Sequence, residues 1–243
     1  MRKERETRPE PYPHEIFFDF EAYLVKKDSN LTRDLIVVNE HVPVSVSVGD
    51  TLEKEPTHLC VTEPKELIRQ FMEELEWRGR NIREQVRVQY MPADLACLPK
   101  GQRDKITEWC DQVPVLGFNS GSYDLNLIKE HLVESLAQKA RKATVAKKGS
   151  TTMYISTPEF RFLDIMNYLG PGVSYEKCVK AYGCSAQKAW LPYEWFDSPE
   201  KLDFPGLPGY EAWYSSLKED YLLTLDEWRA CNRLFEERGM RTF

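Results

Sequence analysis

His14-Glu15-Ile16-Phe17-Phe18-Asp19-Phe20-Glu21-Ala22-Tyr23-Leu24-Val25 is the stretch on which the fold turns. It is aromatic and apolar with acids inserted, a composition that predicts a β-strand. Residues two apart in a strand share a face, so Asp19 and Glu21 point the same way. Two carboxylates on one face of an apolar strand lose solvation unless something offsets their charge. A divalent cation does so, since magnesium takes oxygen ligands, often a few carboxylates plus a substrate phosphate. Two solvated acids at a sheet edge would give the same spacing, and Asp-x-Glu alone favours that simpler explanation. The neighbours Ile16, Phe17, Phe18, Phe20 and Tyr23 argue against full exposure.

Downstream, Val42, Val44, Val46 and Val48 alternate with Pro43, Ser45 and Ser47, which predicts a half-buried strand ended by Gly49-Asp50 and able to pair with the first. Leu67, Ile68, Phe71, Met72 and Leu75 form one apolar stripe, which predicts a helix opened by Pro64, capped by Thr62 and ended near Gly79. Val113 to Phe118 reads as a short strand and Asn119-Ser120-Gly121-Ser122 as a turn. Leu125, Ile128 and Leu132 then resume helical spacing. The basic stretch Lys139 to Lys148 reads as a surface loop. A DNA-backbone contact is its sharper interpretation, and a solvated charge run the commoner one. Thr151 to Leu163 reads as two strands about the Thr157-Pro158 turn. Beyond Gly170-Pro171-Gly172 the chain is aromatic, helical or irregular.

Gly117-Phe118-Asn119-Ser120-Gly121-Ser122-Tyr123-Asp124 holds the second candidate acid. A carboxylate at a helix start is stabilised by the helix dipole, which accounts for Asp124 alone. It does not account for Asn119 and Tyr123. A ring can stack on a base, and an amide can hydrogen-bond a sugar, base or phosphate.

Composition bounds these readings. Hydrophobic residues are 42% and charged residues 30% of 243, ordinary for a globular protein. No apolar run is long enough to span a membrane, and the charged residues 1–10 are not a secretory signal. The six cysteines form no CxxC pair, which argues against zinc or a disulfide framework and for a reducing, intracellular setting. His14, His41, His58 and His131 have no metal-ligand spacing. The net charge of -6 counts mildly against a nucleic-acid binder, although a carboxylate-based nuclease carries its own negative charge.

Asp19-Phe20-Glu21 and Asn119 to Asp124 resemble, in order and separation, the first two exonuclease motifs of family B DNA polymerases. These are Asp-x-Glu in a strand, and Asn followed within a few residues by Phe or Tyr and Asp. Lys188-Ala189-Trp190-Leu191 with Tyr193 resembles the lysine motif of the protein-primed branch; a solvated surface lysine is the other reading of Lys188. The texture of Phe160 to Pro208 is similar to the polymerases of Polinton/Maverick-type mobile elements and related viruses.

The resemblance implies an α/β, ribonuclease H-like (DnaQ-like) mixed sheet with flanking helices. The order of elements suits that fold, and other α/β folds as well. Residues 1–13 would be a flexible lead-in and 14–243 the exonuclease domain. It further implies two Mg2+ or Mn2+ ions held by Asp19, Glu21, Asp124 and a fourth acid. Asn119, Tyr123 and Tyr193 would bind the single-stranded 3′ end of DNA, and Lys188 would offset charge on the scissile phosphate. The activity implied is 3′→5′ proofreading hydrolysis, with no membrane partner, in the cell interior and in the nucleus for a eukaryotic element.

Two departures matter. Ile165 stands where a DNA-contacting Ser or Thr is expected, and Asp164 is expected to cap the following turn. A Tyr-x(3)-Asp third motif is absent: Tyr221 is followed by Leu225 at the fourth position and Asp226 one later. The third motif and the polymerase domain are therefore expected beyond Phe243, and these 243 residues by themselves are expected to be weakly active or inactive. The alternative is a catalytically incomplete remnant that only binds nucleic acid or serves a structural role.

Overall fold

Apolar side chains alternating from Ile16 onward give the central strand, and pairing around it sets the architecture. A computed structural model describes residues 11–32, 35–53, 55–139, 143–170, 172–184, 190–216 and 221–243. In chain order its elements are β1 (Ile16–Thr32), β2 (Leu35–Asp50), β3 (Thr57–Cys60), α1 (Pro64–Tyr90), α2 (Lys100–Asp111), β4 (Val113–Gly117), α3 (Asp124–Leu127), α4 (Lys129–Lys139), β5 (Thr144–Lys148), β6 (Thr151–Ser156), β7 (Phe160–Asp164), α5 (Tyr175–Ala181) and α6 (Leu225–Glu237). The strands form one mixed sheet in the order β3-β2-β1-β4-β7-β6-β5. β4 runs parallel to β1 and to β7, while β6 runs antiparallel to β5 and β7. With helices between its strands, this is the ribonuclease H-like α/β sheet expected from the sequence.

The chain divides into two compact units. One comprises Met1–Asp19, Val46–Leu59 and Ile68–Tyr168, the other Phe20–Ser45, Cys60–Leu67 and Leu169–Phe243. In the first, alternation buries Ile16 and Phe18 of β1, Val113 and Val115 of β4, and Phe160 and Phe162 of β7. The Phe18 ring lies 5.6 Å from that of Phe71 on α1 and 6.3 Å from that of Phe162. Each such aromatic burial is worth about 1.5–3 kcal/mol. Tyr12, in the lead-in, is docked here: its hydroxyl donates to the Cys110 carbonyl at 2.9 Å and its ring packs on Trp109. In the second unit Tyr23, Val44 and Phe196 form a core, with Leu191, Trp195, Leu202 and Phe243 packed around it.

Three expectations are corrected. Helix α1 does not stop at Gly79 but runs on to Tyr90. The glycine is there for closeness: a Cβ at position 79 would lie 2.7 Å from Phe160 Cε1 and 3.0 Å from Arg83 Nη1. Gly79→Ala should therefore lower stability by about 1 kcal/mol in urea unfolding, because overpacking against buried Phe160 costs ~1–3 kcal/mol. The helix propensity gained returns only about 1 kcal/mol. A stabilised variant would mean that α1 stands off the sheet. The cap is also one residue later than expected. Glu63, not Thr62, accepts from the Glu66 and Lys65 N–H groups, at 2.6 and 3.1 Å, with Pro64 following. Finally, Thr144–Lys148 is a strand rather than a loop. It forms the last strand of the sheet and is exposed along most of its length, so it lacks the apolar alternation that signals a strand. Arg141 and Lys142 lie outside the described residues.

Candidate functional site

Alternation in β1 sends Phe18 and Phe20 into buried surroundings and leaves Phe17 and Asp19 exposed, with Glu21 half-buried. Phe17 is 41% exposed although its strand is central, so this face of β1 is open at that point. The register pairs Phe17 with Leu116. Two residues on from that pair stand Asp19 and Phe118, where β4 has already given way to the loop. Within the first unit, the exposed acid and the loop carrying the second motif thus arise beside each other.

The loop is built almost wholly from its own backbone. Asn119 has φ +60°, a left-handed conformation that Asn tolerates better than most residues. Its carbonyl accepts the N–H groups of Ser122 and Tyr123 at 3.2 and 3.1 Å, and the Ser120 carbonyl accepts that of Leu125 at 2.8 Å. Asn126 closes the turn, its amide donating to the Ser122 carbonyl at 3.0 Å. The result leaves Asn119 exposed and Tyr123 half-buried, and starts α3 with Asp124 only 3% exposed. Ser120 is fully buried, and its Oγ has no hydrogen-bond partner. It packs where a Gly117 side chain would otherwise sit.

Asp164 is the residue whose importance sequence reasoning underestimated. The expected turn cap is present, with Oδ1 accepting from the Met166 N–H at 2.9 Å. Its other oxygen accepts from the Gly121 N–H at 3.0 Å, a contact across 43 residues that no local pattern announces.

In the second unit Tyr193 donates its hydroxyl to Glu21 Oε2 at 3.4 Å. These two candidate residues therefore meet. Lys188 lies outside the described residues, as does Asp220. Among the described residues, no group of three or more His, Cys, Asp or Glu side chains is gathered as a cation site.

The tyrosine nearest to a third motif has another task. Tyr221 donates to Glu227 Oε2 at 2.7 Å, and that carboxylate also accepts the Thr224 N–H in the capping box that opens α6. Asp226 pairs at the surface with Arg229 at 3.3 Å. Holding its proton beside a carboxylate pushes the Tyr221 phenol up to about 12, and the same bond holds Glu227 below the usual carboxylate range. An alkaline absorbance titration should therefore show one phenol ionising near pH 12 that Tyr221→Phe removes. Glu227→Gln should move it back toward an ordinary tyrosine value, since the carboxylate is what favours the protonated phenol. An unchanged titration in both variants would contradict the bond.

No protein-family model matches the chain, and no curated protein matches it. Among solved structures it is similar to the family B DNA polymerase of the hyperthermophilic archaeon Pyrobaculum calidifontis, at 16% identity and a TM-score of 0.44. The match covers 96% of this chain and 25% of the polymerase, so the chain spans about a quarter of that protein's length.

Proposed function

We propose that the chain is a 3′→5′ exonuclease domain of family B polymerase type, acting on single-stranded DNA ends with two Mg2+ or Mn2+ ions. The observation that carries this reading is the placement of Asp19. It stands exposed on the open face of a central strand, beside the point where β4 releases the Asn119–Asp124 loop. Ligands of open α/β sheets bind outside the carboxyl ends of the strands, where such loops emerge.

The donor types suit the ions, although among the described residues the candidate carboxylates are not gathered as a cation site. Asp19, Glu21 and Asp124 offer only carboxylate oxygens, the hard ligands that magnesium and manganese take, and leave coordination positions for phosphate and water. When bound, such a pair of ions supplies an activated water and stabilises the leaving 3′ oxygen. The chain's own residues do the rest in this reading. Asn119 hydrogen-bonds the terminal nucleotide, and Tyr123 stacks on a base, an interaction typically worth ~1–3 kcal/mol. Tyr193 orients the Glu21 carboxylate through its hydroxyl. Lys188 neutralises charge on the scissile phosphate, a role proposed on its sequence pattern alone.

The test is incubation of a 5′-labelled single-stranded oligonucleotide with the protein and Mg2+ or Mn2+. With three of the four implied acids present, the expected result is a weak ladder of products shortened one nucleotide at a time from the 3′ end and abolished by chelator. Oligonucleotide binding, followed by fluorescence anisotropy, with no ladder under either metal would overturn the catalytic reading and leave a binding domain.

A further inference from the structure

We propose that Asp164 is a positioning residue for the candidate site, clamping the Asn119–Asp124 loop through the backbone of Gly121. The inference rests on the nuclease reading and assigns that site a residue from outside both motifs.

The Asp164 side chain is 2% exposed at the end of β7 and makes one bond with each oxygen. Oδ2 accepts from Gly121, in the loop after β4, and Oδ1 from Met166, in the turn after β7. One carboxylate thus ties together the loops that leave two parallel neighbours, which are paired at Gly117↔Asp164. Gly121 is held from the other side as well: its carbonyl accepts the Thr152 N–H at 2.9 Å. A Cβ at position 121 would lie 2.1 Å from the Thr152 carbonyl oxygen, so only glycine fits between these partners. Asp124 is three residues further on, through a turn whose carbonyls at Asn119 and Ser120 are already engaged. With Gly121 fixed on both sides and the turn internally bonded, little freedom remains for Asp124. A buried carboxylate that merely capped the Met166 turn would need one oxygen only.

Asparagine tests this almost without changing shape. A carboxylate accepts from two N–H donors, whereas an amide presents one oxygen and one NH2. Asp164→Asn therefore sets donor against donor at either Gly121 or Met166. Groups that orient a metal ligand typically affect metal affinity by about 10–100-fold.

The experiment measures Mn2+ binding by isothermal titration calorimetry on the whole chain, for wild type, Asp164→Asn and Asp124→Asn. Hydrogen exchange at the Gly121 amide is measured in parallel, well below the unfolding temperature. The expected result is Mn2+ affinity about 10–100-fold weaker in Asp164→Asn, with faster Gly121 exchange and unchanged exchange in the β7 core. Wild-type affinity in Asp164→Asn, with Asp124→Asn impaired, would overturn the positioning role and reduce Asp164 to a structural cap. A wild-type chain that binds no Mn2+ would instead sink the nuclease reading, and this inference with it. Should Asp164→Asn fail to fold, Asp164→Ser carries the same comparison, because its hydroxyl accepts from one N–H without forcing a second donor on the other.

Discussion

Asp19→Asn is expected to slow removal of nucleotides from a single-stranded 3′ end by more than about 100-fold, with the fold unchanged. Partners that merely orient metal ligands typically cost about 10–100-fold when removed, and a ligand should cost more. A 100-fold loss corresponds to ~2.7 kcal/mol of barrier. Asparagine keeps the shape of the side chain and deletes the charge that would hold a divalent ion. Asp19 is exposed, so folding should hardly register the change, as exposed substitutions usually stay within about 0.5 kcal/mol. That separation makes Asp19 a cleaner probe than Asp124, which is 3% exposed and whose substitution would perturb the loop as well. Single-turnover cleavage with Mg2+ and urea unfolding, run on the same preparations, check both halves. Cleavage within a few-fold of wild type would move the chemistry away from β1 and take the proposed site with it.

The sequence carried the elements whose side chains alternate or recur, and lost those set by distant partners. β1 was legible because its aromatic and apolar run carries inserted acids, and β2 because buried Val44, Val46 and Val48 alternate with Pro43, Ser45 and Ser47. The buried stripe Leu67, Ile68, Phe71, Met72 and Leu75 likewise announced α1. Its end was misplaced because glycine normally weakens a helix, while here Gly79 answers to Phe160, a strand away. β5 was hidden because an exposed strand of Thr, Val, Ala and Lys has no apolar face to betray it. The candidate acids were visible as types at a spacing. Their surroundings were not: the bond from Tyr193 to Glu21 spans 172 residues, and that from Gly121 to Asp164 spans 43. A periodic pattern reports which face of an element is buried; it is silent on which loop a buried carboxylate will hold.

Arg78 is the residue whose loss should damage the fold most. Its guanidinium is 2% exposed and reaches three partners from α1. Nη1 bonds Asp50 Oδ2 at 2.5 Å, Nε bonds Glu74 Oε1 at 2.7 Å and Nη2 bonds Thr57 Oγ1 at 2.8 Å. Thr57 in turn donates to Glu74 at 2.7 Å, so the donors and acceptors form a closed set. Asp50 spends its other oxygen on the N–H groups of Leu52 and Glu53 at 2.6 and 2.7 Å, which fixes the chain just after β2. Arg78 thus joins α1 to the end of β2 and the start of β3. Glu53, Glu55 and Glu74 line the adjoining hollow of about 480 Å³ together with Trp77, so the surroundings are strongly acidic. Arg78→Ala removes the cation and leaves Asp50 buried among like charges. Breaking a buried pair in this way typically costs ~3–5 kcal/mol, far more than the intact pair contributes. Urea unfolding should show a loss in that range. Asp50→Asn in the Arg78→Ala background should recover part of it, because the amide oxygen still accepts from Leu52 or Glu53 and no charge is stranded. If the two losses simply add, the Asp50–Arg78 pair is not what holds these segments together, and the damage from Arg78→Ala comes instead from its lost bonds to Glu74 and Thr57 and its lost packing against Trp77.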